Sequence, residues 1–196
     1  MSLTNFRNYL HLELSLPQHT IVFQGNNAQG KSNLLESAYL LATTRSHRAA
    51  TERELISWGV PSDEMPVSRI AGVVQRTGGE IQVEIALRER SSEVEKRIRV
   101  NSIRRRAVDV VGQVKVVMFD AHDIELVFGS PSIRRRYLDL IGSQLDLRYL
   151  RSLQRYNRVL SQRNYLLRLI GGGHANPEQL EFWDDELVEN GSYILL

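Results

Sequence analysis

IVFQGNNAQGKSNLLESAYLL, residues 21–41, decides how the rest of the chain is read. Ile21-Val22-Phe23 is a short buried-strand signal, and it is followed within two residues by a glycine. The eight residues from Gly25 to Ser32 fit G-x-x-x-x-G-K-[ST]. From Asn33 to Leu41 apolar residues recur at spacings of three and four, the period of a helix with one buried face. Strand, loop and helix in that order are the context the motif requires. A chance match anywhere in a chain of this composition has odds of roughly one in several hundred.

Each position in the loop has a chemical reason. Gly25 and Gly30 allow backbone angles and close approaches that a Cβ would block. The amides of Asn26, Asn27, Ala28 and Gln29 can then turn inward as an anion nest at a helix N-terminus. Lys31 supplies a mobile point charge for the outer phosphates, and the Ser32 hydroxyl is a Mg²⁺ ligand. Asn33 continues the site into the helix. The stretch therefore predicts a loop that holds a nucleotide triphosphate.

Composition narrows the field less. The 196 residues are enough for one large domain or two small ones, and 42% are hydrophobic. Cysteine is absent, which excludes disulfides and thiolate metal sites and fits a reducing, cytoplasmic setting. No apolar run approaches the roughly 18 residues of a membrane span. The N-terminus is polar by Thr4 and lacks the basic-then-apolar order of a signal peptide. Net charge is only +2, but just three of the 25 basic residues are lysine. The arginines gather at 104–106, at 134–136 and along 148–168.

Upstream of the loop the chain reads as strands. HLELSL (11–16) alternates, which puts Leu12, Leu14 and Leu16 on one face. A helix is expected from about Thr51 to Gly59, then a loop over VPSDEMP. Residues 67–100 show period two in three runs, with a turn at Thr77-Gly78-Gly79, and predict an antiparallel meander. VKVVMFD (114–120) reads as a buried strand. Beyond Ala121 the pattern is helical: one helix starts at Pro131, a long one covers 147–170, and another follows Pro177. In the long helix Leu150, Leu153, Tyr156, Leu160 and Leu167 form a stripe, with Arg148, Arg151, Arg155 and Arg158 towards another. The last residues, YILL, are apolar inside a helical pattern, so the chain is expected to be cut rather than finished.

A working phosphate-loop enzyme also needs an acid at the end of a buried strand to hold Mg²⁺ and position water. Asp120 is the one apparent candidate. Either it serves a small stand-alone P-loop NTPase or kinase, or the acid lies beyond residue 196. A module that binds nucleotide without hydrolysing it is a third reading. On the second and third, the chain by itself turns over little ATP.

Several separate blocks resemble the RecF family of bacterial recombination and repair ATPases, related to the SMC and ABC ATPase heads. They are SLTNFRNY (2–9), GNNAQGKSNLLESAYLLATTRSHR (25–48), ERELISWG (52–59), GSPSIRRRYLDL (129–140) and RYNRVLSQRN (155–164). The resemblance implies an α/β P-loop NTPase, an ABC/SMC-head-like lobe with an antiparallel β subdomain, over residues 1–120. The start of an α-helical arm domain follows over 121–196. It implies ATP and Mg²⁺ as cofactors, and Asn5 and Arg7 near the nucleotide. Arg45 and Arg48 resemble an arginine loop between phosphates and DNA. His122 and Asp123 become γ-phosphate-side candidates, and Arg104, Arg105, Arg134 and Arg135 candidate DNA contacts. The implied partners are double-stranded DNA and gap junctions, RecR and RecO, and a second copy of the full-length protein in an ATP-dependent homodimer.

Overall fold

The computed structural model describes residues 1–59, 67–90 and 93–195. They form two units, Met1–Met118 and Phe119–Leu196.

The period-two runs of the first unit become a six-stranded sheet in the order β2-β1-β3-β4-β5-β6. Its strands are β1 (Ser2–Phe6), β2 (Tyr9–Glu13), β3 (Val67–Arg76), β4 (Gly79–Arg90), β5 (Glu93–Val100) and β6 (Ile103–Arg105), and every neighbouring pair is antiparallel. Ile81, Val83, Ile85 and Leu87 alternate along β4 and all face the core. Ile70 on β3, Ile98 on β5, and Leu3 and Phe6 on β1 complete that face. Helix α1 (Lys31–Thr43) buries Leu34, Leu40 and Leu41 against it. Gly72 is what lets the helix come so close, since a Cβ there would lie 2.9 Å from the Leu41 side chain. Lys96 on β5 donates to the Thr44 carbonyl at the end of α1 and pairs with Glu52 at 2.6 Å. A cation there complements the negative end of the helix.

The meander over 67–100 and the helix after the loop have the bounds their patterns predicted. Four other expectations need correction. Neither 21–23 nor 114–120 is a hydrogen-bonded strand, and Val22, Val117 and Phe119 are each more than two-thirds exposed. An apolar run gives the propensity, but a ladder needs a neighbouring strand; among the described residues neither segment joins the six-stranded sheet, and Val114 makes only an isolated bridge to Val111. The helix expected from Thr51 to Gly59 is one 3₁₀ turn, Glu52–Leu55. It stops because Ile56 and Ser57 become extended and pair with β1: Ile56 bridges Phe6, and the Ser57 amide donates to the Asn5 carbonyl at 2.8 Å. Leu12 and Leu14 pack on the core edge, but Leu16 lies past the end of β2 and is exposed. The loop expected over VPSDEMP (60–66) lies outside the described residues.

The second unit is helical: α2 (Glu125–Phe128), α3 (Pro131–Leu145), α4 (Leu147–Gly171) and α5 (Leu180–Leu195). Pro131 opens α3, where its missing N–H costs nothing. Asp146 caps α4 by accepting from the Arg148 amide at 2.8 Å. Helix α4 buries Leu150 of the expected stripe and, outside it, Val159 most deeply, while Leu167 is exposed. Two arginines of α4 pair with α5: Arg155 forks onto Glu186 at 2.6 and 2.7 Å, and Arg163 pairs with Asp184. Bidentate pairs of this kind fix orientation as well as adding energy.

Candidate functional site

The loop from Gly25 to Ser32 leads directly into α1, whose N-cap is Gly30 with φ 101° and no side-chain cap. The first amides of a helix have no partner within it, so this end is open to an anion. Ala28 also has positive φ, 63°; a non-glycine residue held there marks a loop whose shape is imposed on it. Lys31 lies back across the loop, its ammonium donating to the Gly25 and Asn26 carbonyls at 2.7 and 2.6 Å.

The hairpin turn between β1 and β2 abuts this loop. A Cβ at Gly30 would lie 2.8 Å from the Asn8 amide group and 2.8 Å from the Tyr9 hydroxyl. Asn8 accepts from the Asn33 Nδ2 at 2.8 Å. Arg7, at φ 53°, is fastened on three sides. Its guanidinium forks onto Glu36 at 3.0 and 2.8 Å and donates to the Glu54 carbonyl at 2.8 Å.

Glu36 is the hub. It sits one turn past Ser32 on α1 and its side chain is fully buried. It also accepts from the Ser46 hydroxyl and from Arg48 at 2.7 Å, and Arg48 reaches on to the Asn33 side-chain Oδ1 at 2.7 Å. Burial alone would push this carboxyl up. Hydrogen bonds from Arg7, Ser46 and Arg48 outweigh burial and hold its pKa at about 2, well below the usual 4.5. Asn8, Asn33, Arg48, Glu36 and Arg7 thus form one chain of hydrogen bonds beside the loop. A cleft of about 770 Å³ opens along it, lined by these residues other than Glu36 together with Leu10, Glu54, Ser57, Trp58 and Gly59.

Of the residues named from the sequence, Arg7, Gly25–Asn33 and Arg48 come together here. The Asn5 side chain instead donates to the Val67 carbonyl at 3.3 Å, and it is Asn8 that abuts Gly30. Arg45 is exposed, while Arg48 is engaged with Glu36 and Asn33. Arg104 and Arg105 stand exposed on β6 at the sheet edge. In the second unit Arg134 donates to the Leu126 and Gly129 carbonyls at 3.3 and 3.0 Å, closing the end of α2, and Arg135 is exposed. Nearby, Asp139 and Asp146 accept from the hydroxyls of Tyr149 and Tyr193. Asp123 accepts from the Asp120 amide at 2.6 Å and so closes a turn; the His122 side chain lies outside the described residues. Glu36, Asn8 and Trp58 are the residues the sequence reading missed. A lone acid inside the apolar run NLLESAYLLA was a legible signal for Glu36, since a buried carboxylate requires partners.

The loop residues fit a nucleotide with magnesium. The helix end is uncapped, a Cβ on the glycine before it would press on the Asn8 and Tyr9 side chains, and an ammonium and a hydroxyl follow at once. No family model matches the chain. Curated relatives do. The DNA replication and repair protein RecF of Herpetosiphon aurantiacus is 46% identical over 208 residues, covering 100% of this chain and 54% of the relative. That of Halalkalibacterium halodurans is 40% identical over 190 residues, covering 96% and 49%. A solved structure described as the recombination mediator protein RecF-ATP in the RecFOR pathway superposes with a TM-score of 0.87 at 34% identity, covering 99% of this chain and 50% of that one. The chain spans about half the length of the relatives it matches. Its fold is that of their ABC/SMC-head-like α/β lobe with an antiparallel sheet, followed by helices. With a phosphate loop, an arginine-clasped Glu36 behind it and matches across nearly the whole chain, these 196 residues belong to the RecF family, as the N-terminal half of its members.

Proposed function

We propose that this chain carries the ATP-binding part of a mediator of DNA replication and repair. The observation that carries the reading is the geometry at Gly30–Ser32: an open helix end, a glycine at φ 101° against the Asn8 and Tyr9 side chains, and Lys31 beside it. Solved relatives described as RecF-ATP and RecF-ATPγS complexes support the choice of nucleotide. Magnesium would be held by Ser32 and, when bound, neutralises charge on the phosphates. The chain's own residues bind and orient the nucleotide. Loop amides face the phosphates, Lys31 leaves its two carbonyls for them, and the Glu36 clasp fixes Arg7 and Arg48 alongside.

In the full-length protein the nucleotide is sandwiched by a second copy. Binding then becomes a clamp-closing signal that opens on hydrolysis. The clamp acts in the cytoplasm with RecR and RecO at single-strand gaps in duplex DNA, helping to load recombinase. The exposed arginines Arg45, Arg104, Arg105 and Arg135 support contact with DNA phosphates; Arg134 and Arg48, engaged within the fold, are weaker candidates for it. No aromatic-rich stacking patch of the kind single-strand binders use stands out in the sequence.

Duplex binding measured by fluorescence anisotropy, with Mg²⁺ and ATP across a salt series, tests this reading. Affinity is expected to fall steeply with salt, and the double substitution Arg104→Ala, Arg105→Ala is expected to flatten the log–log slope by about 2. Binding that ignores both salt and nucleotide contradicts a phosphate-reading, ATP-gated clamp.

A further inference from the structure

We propose that Trp58 is the platform on which the base of the bound nucleotide stacks. The inference rests on the nucleotide reading of the loop and adds a subsite to it. Trp58 is 90% exposed, the most exposed of the large hydrophobic side chains among the described residues of the first unit. Yet the backbone beneath it is fixed. Ile56 bridges Phe6, the Ser57 amide donates to Asn5, and the Arg7 amide donates to the Leu55 carbonyl at 2.9 Å. An indole left in water on a fixed support is an unused apolar face of large area.

Its position says what could cover it. Trp58 lines the same cleft as Arg7, Asn8, Leu10, Asn33 and Arg48. Asn33 directly follows the hydroxyl proposed for magnesium, and Asn8 is the side chain that abuts Gly30. Through Asn33 and Asn8 the cleft therefore adjoins the phosphate loop. A ligand whose phosphates lie on the loop amides can extend its remainder along Asn33 and Asn8. That wall carries amides able to bond a sugar or a base edge, and Trp58 and the half-exposed Leu10 supply apolar surface. A planar heterocycle fits this combination: it has a π-face for the indole and polar edges for the asparagines. Stacking on an aromatic tolerates any base, so the site assigned is for a nucleobase as a class, with selectivity left to the polar edge.

The test compares two ligands on the whole chain: Mg·ATP, and inorganic tripolyphosphate with Mg²⁺, which has the phosphates and no base. Trp183→Phe gives a background in which Trp58 is the sole tryptophan. In it, ATP is expected to quench the emission and tripolyphosphate to leave it nearly unchanged. Trp58→Ala is expected to weaken ATP binding roughly 5- to 150-fold, the span measured for lost base–aromatic stacks. Trp58→Phe is expected to restore most of that loss, and tripolyphosphate affinity is expected to be the same in all three. ATP affinity within twofold of the parent in Trp58→Ala, with Lys31→Ala still losing both ligands, overturns the stacking role and leaves the phosphate loop standing. Equal weakening of both ligands by Trp58→Ala overturns it too, as a structural effect. If Lys31→Ala alters neither ligand, the nucleotide reading itself fails and the Trp58 assignment falls with it.

Discussion

Glu36→Gln is expected to destabilise the protein by about 3–5 kcal/mol, the cost of leaving buried charges without their partner. The substitution keeps the shape and removes the charge. Two guanidiniums, from Arg7 and Arg48, then face a neutral amide that must also offer N–H groups towards them. Arg48, about one-third exposed, can swing into water; Arg7 is held by the Glu54 carbonyl and cannot. For a chain of this length the loss lowers Tm by on the order of 10 °C. The pH dependence separates this cause from a packing defect. The folded-state pKa of Glu36 is lowered to about 2 from 4.5, so its contribution is fully present above about pH 4.5 and fades as pH falls towards 2. Thermal melts followed by circular dichroism from pH 7 to pH 3 are expected to show the gap between parent and variant narrowing below pH 4.5. A gap constant with pH, or no gap at pH 7, would contradict the assignment of Glu36 as the charged hub.

Gly30→Ala is expected to cost about tenfold or more in ATP affinity. Two effects act together. The residue sits at φ 101°, where an alanine pays roughly 1–2 kcal/mol in backbone strain. Its new methyl would also press on the Asn8 amide and the Tyr9 hydroxyl at 2.8 Å. Those are the ends of side chains and can move, but moving Asn8 breaks its bond to Asn33 and shifts the cleft wall. Gly78→Ala, in the turn between β3 and β4 with open space around it, is the matched control and is expected to bind like the parent. Equal affinities for Gly30→Ala and the parent, by calorimetry, would mean that the loop's shape does not set the site.

Much of this was legible in residue pattern. The loop, the helix from Lys31 to Thr43 and the three long strands from Val67 to Val100 rest on short-range signals, namely a motif with its spacing and two hydrophobic periods. What was not legible depends on neighbours distant in sequence. Ile56 and Ser57 look helical until β1 takes their hydrogen bonds. Residues 21–23 and 114–120 look like core strands because propensity says nothing about whether a partner lies alongside. In the site, Lys31 and Ser32 announce themselves through the motif. Asn8 does not, since only the hairpin turn carries it to Gly30 across 22 positions of sequence. Trp58 reads as an ordinary apolar residue until its exposure is known. The arginine clusters illustrate the same limit: Arg134, Arg155 and Arg163 are spent on helix ends and ion pairs, while Arg104, Arg105 and Arg135 stand in solvent, and composition cannot separate them.

The central claim is that main-chain amides between Gly25 and Ser32, with the Lys31 ammonium, hold a triphosphate. Isothermal titration of the purified chain with Mg·ATP tests it most directly, run side by side on the parent and on Lys31→Ala. The account expects saturable one-site heat for the parent and its loss in the variant, with both proteins melting at the same temperature. Heat that survives unchanged in Lys31→Ala, or none in the folded parent, would contradict it.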